Sequence, residues 1–208
     1  MNVNDADVKG LVIPKTPFEQ IKGIFARQAE LHEKYKGIEE GNGLGLGFVV
    51  GRPFSIDDPV WQYIIKDYAW RVTEEITEAI EAADHSKVHL VEELIDALHF
   101  YTEMLILCDI QPTHFEKYTP RPTVDLVKDP LQMLNTTYHI GIACNLLKNK
   151  PWKNTHVLTD WNRFVSSMVL GYVSLLNTIF HHVGSMEALY VFYHKKALVN
   201  VFRQNSNY

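Results

Sequence analysis

Four acidic side chains in the stretch from Trp70 to Phe100 have a spacing that suits metal chemistry. Glu75 and Glu78 lie three residues apart, and so do Glu93 and Asp96. Residues three apart on a helix share a face. Fourteen residues separate Glu78 from Glu93, enough for a tight reversal around Asp84-His85-Ser86. Two neighbouring antiparallel helices joined there would aim four carboxylates into one space. On a helical wheel, Glu93 and Asp96 fall on the stripe of Ala97, Phe100, Met104 and Leu107, and the opposite side (Val91, Leu94, Ile95, Leu98) is also apolar. A helix apolar on nearly all sides is buried, and carboxylates within it are costly to desolvate unless compensated. Within the stretch only Arg71 and Lys87 offer fixed positive charge. A divalent cation is the simpler compensation, and an all-carboxylate site favours Mg²⁺, Mn²⁺ or Ca²⁺ over zinc. The plainer alternative is that each Glu pair marks only a solvated helix face.

Other chemistry-bearing residues give weaker signals. His85 and His89 have the spacing of a zinc helix, but no Glu follows His85 and no third ligand is evident. His181-His182 reads as a surface pair favoured by a helix C-terminus. Trp61 and Trp70 are candidates to stack on an aromatic ligand, with a core role as the plainer reading. Gly41 to Gly51 holds five glycines in eleven residues and reads as a mobile loop, a possible lid. It follows no strand, so it is not a phosphate-binding fingerprint. Cys108 and Cys144 sit in apolar segments and read as reduced and buried, which excludes a disulfide framework.

The elements that must position these residues are helical. Thr16-Pro17-Phe18-Glu19 should open a first helix running to about Glu39. Asp58-Pro59 starts a second, ending near Ala83, and Ser86 caps a third that reaches about Cys108. Gln111 to Asp129 carries three prolines and reads as irregular. Asp129-Pro130 opens a fourth helix to about Lys148. A fifth spans about Val157 to Val183, with Gly184 as its stop. Ser185 caps a sixth, ending near Gln204. The expected fold is all-α, a bundle of about six helices forming one domain over residues 1–208. The net charge of −5 and the absence of a strongly basic stretch argue against nucleic acid as partner. The polar N-terminus does not read as a secretory signal. The longest apolar stretch, Phe164 to Phe180, is broken by polar residues and reads as a core or interface helix rather than a membrane span. A soluble, cytoplasmic protein is expected.

The string Glu75-Ile76-Thr77-Glu78, then Glu93-Leu94-Ile95-Asp96-Ala97-Leu98-His99-Phe100, resembles the signature of the all-α nucleoside triphosphate pyrophosphohydrolases. That superfamily holds the dimeric dUTPases, the phage dCTP pyrophosphatases and MazG-like enzymes. The ending from Tyr193 to Tyr208 is similar to the ending of the first two, with Lys196, Asn200 and Arg203 at spacings of four and three on one helix face. A weaker likeness runs from Ile24 to His32. There Gln28 fits the pattern, and His32 stands where the family usually has Asn. Ala197 also departs from it, as do Asn205-Ser206-Asn207. From Asp109 to about Tyr190 the chain is similar only in being helical.

The resemblance implies Mg²⁺-dependent hydrolysis of dUTP to dUMP and pyrophosphate, with dCTP, both nucleotides or a modified pyrimidine as alternative substrates. It implies that Glu75, Glu78, Glu93 and Asp96 hold about two or three Mg²⁺ ions, with Mn²⁺ as a possible substitute. Glu75 or Glu78 would take the proton of the attacking water. Lys196, Asn200 and Arg203 would bind the phosphates, and Gln28 with His32 would read the base. His99 is expected to pack. A homodimer is implied, and the apolar residues of the fifth helix (Phe164, Met168, Val169, Tyr172, Leu175, Leu176) would suit either its interface or the core. The rival class is a non-catalytic helical interaction protein.

Overall fold

Local capping chemistry decides where most helices begin. The amide of Glu19 donates to Thr16 Oγ1 (3.2 Å), and helix α1 runs from Pro17 to Asn42. Asp58 accepts from the Val60 amide (2.7 Å) at the head of α2, Pro59–Ala82. Ser86 accepts from the His89 amide (3.2 Å) at the head of α3, Lys87–Leu107. Each cap satisfies an amide that the first helical turn leaves without a partner. Helix α4 spans Asp129–Leu146, α5 spans Trp161–Val183 and α6 spans Met186–Asn205. Gly184 closes α5 at φ 86°, a left-handed conformation that favours glycine, and Ser185 Oγ accepts from Ala188 to start α6. The computed structural model describes residues 6–42, 45–49, 51–121, 129–154 and 156–205. Among these there are six α-helices, two short 3₁₀ turns and no strand, so the molecule is an all-α multi-helix bundle as expected.

Two expectations need correction. The fifth helix does not start near Val157 but at Trp161. Tertiary hydrogen bonds hold the preceding backbone off the helical path. The Asn149 side chain accepts from the Val157 amide (2.8 Å) and donates to the Val157 carbonyl (2.9 Å), while Asp57 Oδ1 accepts from the Thr159 amide (2.7 Å). Asp160 then caps α5 by accepting from Arg163. The glycine-rich segment is also more ordered in type than a plain loop. Gly41 and Asn42 finish α1, and Gly45–Val49 forms a 3₁₀ turn that packs on α1 and α2 with Leu46 and Val49 buried. Positions 43, 44 and 50 of that segment lie outside the described residues.

Helices α2 and α3 form a hairpin, closed by the His85 and Ser86 amides donating to the Ala82 carbonyl (3.0 and 2.9 Å). Helix α3 is central, packing on α1, α2, α5 and α6. Its buried residues include Leu94, Leu98, Tyr101, Met104 and Leu105. Each such apolar side chain contributes about 1.5–3 kcal/mol by leaving water. Helix α5 is long and apolar enough to cross a membrane by length and composition, yet Phe164, Met168, Tyr172, Leu175 and Leu176 all point into the core of this one chain. The face considered for a dimer is therefore core. Gly171 allows its close approach to α3: a Cβ there would overlap the Tyr101 hydroxyl, which donates to the Met168 carbonyl (2.9 Å).

Candidate functional site

The α2–α3 hairpin brings three of the four predicted acids together. Oxygen atoms of Glu75, Glu93 and Asp96 all lie within 4.8 Å of one another. Glu93 is 8% exposed, while Glu75 and Asp96 are half-buried. Glu78 sits one turn along α2 from Glu75, exposed and outside the trio, though its charge still acts on Glu75.

Burial and crowding raise the proton affinity of this cluster. The Glu75 carboxyl is pushed up to about 8, first by burial, then by the charge of Asp96 and by its hydrogen bond with Glu93. Asp96 is pushed up to about 6 by burial, against the opposing pull of Lys196 and, more weakly, Arg203. Lys196 reaches in from α6, its Nζ 2.6 Å from Asp96 Oδ2 and the residue only 6% exposed. His89 pairs with Glu93 (Nδ1 to Oε1, 2.9 Å). The sequence pair His85/His89 thus resolves into a histidine facing an acid rather than half of a zinc site. The donor set fits a hard divalent cation: oxygen atoms only, within reach of one ion and raised in energy by mutual repulsion. One cluster of this kind supports a metal site of the carboxylate class without identifying the ion.

The three residues predicted to bind phosphate lie on α6. Lys196 touches the trio, and Arg203 is near enough to act on Asp96. Asn200 lies between them on the same helix and is half-buried.

The predicted base readers, Gln28 and His32 on α1, belong to a second polar group, built with His99 and Glu103 on the next two turns of α3. Gln28 is 2% exposed, and its polar atoms are engaged. Its Nε2 donates to Glu103 Oε2 (2.8 Å). A carboxylate only accepts, so this contact fixes the amide orientation. Gln28 Oε1 then accepts from the Tyr193 hydroxyl (2.6 Å) and from His99 Nδ1 (2.8 Å). In this arrangement the Gln28 amide is bonded to Glu103, His99 and Tyr193. His32 Nδ1 pairs with Glu103 Oε1, which raises the His32 pKa. His99 stacks on Tyr193 (centroids 4.0 Å apart), and burial, helped by the Lys196 charge, pushes its pKa down to about 3. With Nδ1 donating to an amide oxygen, the neutral His99 ring presents Nε2 as a buried acceptor with no partner among the described residues.

Glu103 is the residue that the sequence reading missed. It is 2% exposed and joins two predicted site residues, Gln28 and His32. A signal was present: Glu103 follows Asp96 by two helical turns on the same side of a helix otherwise apolar there. Beside His32 lies a cavity of about 190 Å³, whose walls include Lys36, Val49, Arg52, Trp61 and Leu107. Trp61 is buried, donating to the Pro53 carbonyl (2.9 Å) and packing edge-on against Phe54. Trp70 is exposed and donates to Glu74 (2.8 Å). Cys108 and Cys144 are free thiols, and burial pushes both pKa values up, away from reactivity.

No family model matches the chain, and no curated protein or solved structure was found to match it.

Proposed function

We propose that this protein hydrolyses a pyrimidine deoxynucleoside triphosphate to the monophosphate and pyrophosphate, with dUTP the substrate the sequence resemblance favours and dCTP the alternative. The observation that carries this reading is the convergence of Glu75, Glu93 and Asp96, with Lys196 held against them. Glu75, Glu93 and Asp96 would hold Mg²⁺ or Mn²⁺, with Glu78 at the outer edge. The bound ions would lower the pKa of a coordinated water and offset charge on the phosphate oxygens. Glu78, exposed and outside the trio, is the better placed of the two catalytic candidates to take the water's proton, since Glu75 is hydrogen-bonded to Glu93. Lys196, Asn200 and Arg203 supply an ammonium, an amide and a guanidinium along one helix for the phosphate chain. For a homodimer, the exposed apolar side chains of Leu131, Leu134 and Tyr138 on α4 and Leu170 on α5 offer a surface.

The test is pyrophosphate release from each deoxynucleoside triphosphate with and without Mg²⁺. Asp96→Asn should abolish Mg²⁺-dependent release while circular dichroism shows the helices intact; near-normal turnover would sink the assignment. A second reading has one observation behind it: Lys196 and the Glu75–Glu93 hydrogen bond already compensate the acids in part. Under that reading the chain is a helical interaction protein, and its thermal melt is unmoved by Mg²⁺ with a non-hydrolysable dUTP analogue.

A further inference from the structure

Three stretches meet at the end of the bundle where α2 begins: the first turns of α2, the connection from α4 to α5, and the head of α5. Buried Asn149 ties them together. Its amide donates to Gln62 Oε1 (2.7 Å), its side chain holds both the amide and the carbonyl of Val157, and Gln62 Nε2 donates to Thr159 Oγ1 (3.2 Å). Backbone pinned in this way displays apolar side chains to solvent. Trp152 is 70% exposed and Leu158 78%, with Val157, Tyr63 of α2 and Trp161 of α5 exposed at the same end. Trp152 stands in a tight turn closed by the Lys153 amide donating to the Lys150 carbonyl (3.0 Å), so a lysine marks each end of that turn. Lys150 Nζ lies over the Trp152 ring, 5.4 Å from its centroid.

The charge here runs against that of the whole molecule. From Pro130 to Thr159 the chain has no acid, and its charged residues are Lys148, Lys150 and Lys153, in a protein of net charge −5. Lys66, a turn beyond Tyr63, joins them: burial, then the nearby charges of Lys150 and Lys148, lower its pKa. The acids of this end are already engaged. Asp57 accepts from Thr159, Asp58 pairs with Arg52, Asp67 pairs with Arg71 and Asp160 caps α5. Among the described residues, Lys148, Lys150 and Lys153 have no carboxylate partner.

We infer that this end of the bundle docks on an anionic lipid surface, with Trp152 and Leu158 entering the zone between headgroups and acyl chains, and Lys148, Lys150 and Lys153 meeting the negative headgroups. The contact is made at the surface, without a span. Tryptophan joins an apolar ring to a polar N–H and suits that zone. Lysine is a point charge on a flexible apolar stem, so it meets a headgroup in many geometries. The patch has no array of oriented donors and acceptors with which to read a particular peptide. Asn149 and Gln62 are engaged inside the protein, and no strand among the described residues offers an edge to extend. Diffuse negative charge is the partner that fits it. Tyr63 precedes Glu75 by twelve residues on α2, about 18 Å of helical rise, so the acid trio lies away from the docking end. The inference stands apart from the hydrolysis reading.

The experiment is sedimentation of the full chain with vesicles, either of phosphatidylcholine alone or with about 30% phosphatidylserine. The vesicles holding phosphatidylserine should bind at least about tenfold more tightly, and roughly 1 M salt should remove that difference. Lys150→Gln combined with Lys153→Gln should weaken this binding about 25-fold, about fivefold for each charge. Acyl chains labelled with bromine should quench tryptophan fluorescence in the unmodified protein, and Trp152→Phe should lose much of that quenching. Circular dichroism should show the helices of both variants intact, since every altered side chain faces solvent or the hollow beside Tyr63. The inference is overturned if neither vesicle carries the protein down, which would leave a protein as the partner of this patch. It is equally overturned if both vesicles bind alike, if the double lysine variant binds unchanged, or if the protein binds with its Trp152 unquenched.

Discussion

Helix α3 carries two buried acidic regions a few turns apart, and they are compensated in opposite ways. Around Glu93 and Asp96, carboxylates face one another with Lys196 as their buried cation, and burial first, then repulsion, raises the pKa of Glu75 and Asp96. Around Glu103, one carboxylate meets two donors, Gln28 and His32, one on each oxygen. The first region is under-compensated and would gain from a bound cation. The second is saturated, so it gains nothing from an ion and serves to hold neighbours in place. The difference teaches that burial alone does not mark an acid as a ligand; the number of donors already aimed at it decides.

The comparison breaks if the two regions respond alike to loss of charge. Glu75→Gln should cut Mg²⁺-dependent turnover by roughly 10³-fold or more, yet leave the melting temperature unchanged or raised at pH 8, because it removes a repelled carboxylate. Glu103→Leu should do the converse to stability, costing about 3 kcal/mol in urea unfolding by leaving Gln28 and His32 without their partner. If Glu75→Gln proves the more destabilising, the contrast is wrong. Gly171→Ala should cost about 2 kcal/mol, since the added methyl displaces the Tyr101 hydroxyl from its place against α5.

The smallest effect is also the sharpest discriminator. Glu75 at about 8 and Asp96 at about 6 lie above their ordinary values of 4.5 and 3.8. Groups raised in this way add stability that is fully present below the ordinary values. It is lost as pH climbs through the raised ones, because the folded state there binds more protons than the unfolded. Without a divalent ion, this contribution therefore falls between about pH 4 and 8. A cation needs the ionised carboxylates, so the shift in melting temperature on adding Mg²⁺ should grow from pH 5 to pH 8. His99, held neutral with a pKa near 3, works the other way: its contribution is present above its ordinary 6.5 and is lost as pH falls. It does so with or without the ion, so the Mg²⁺ difference isolates the acid trio. A shift independent of pH would remove the trio from consideration as the binding site.

The parts of this molecule that were legible in the sequence are those governed by neighbours along the chain. Thr16-Pro17, Asp58-Pro59, Ser86, Gly184 and Ser185 mark helix ends through bonds to backbone a few residues away. Spacing alone placed Glu93 and Asp96 on one face. What was not legible depends on distant residues. The start of α5 is decided by Asn149 and Asp57. The engagement of Gln28 depends on Glu103, His99 and Tyr193, up to 165 positions away. Periodicity shows that α5 has an apolar face without saying whether the same chain or a second one covers it. Glu78 shows the limit of the wheel: it shares a side with buried Val72 and Ala79, yet stands in solvent near the end of the hairpin.

The ammonium lodged against Asp96 has a consequence for assembly. The hairpin of α2 and α3 is built from short-range contacts and can form early. Its acids, however, receive their internal cation only when α6, nearly a hundred residues later in sequence, has docked. A segment synthesised long after the hairpin is thus the one that quiets its charge, and a nascent chain that has not yet made α6 holds those acids without Lys196 to oppose them.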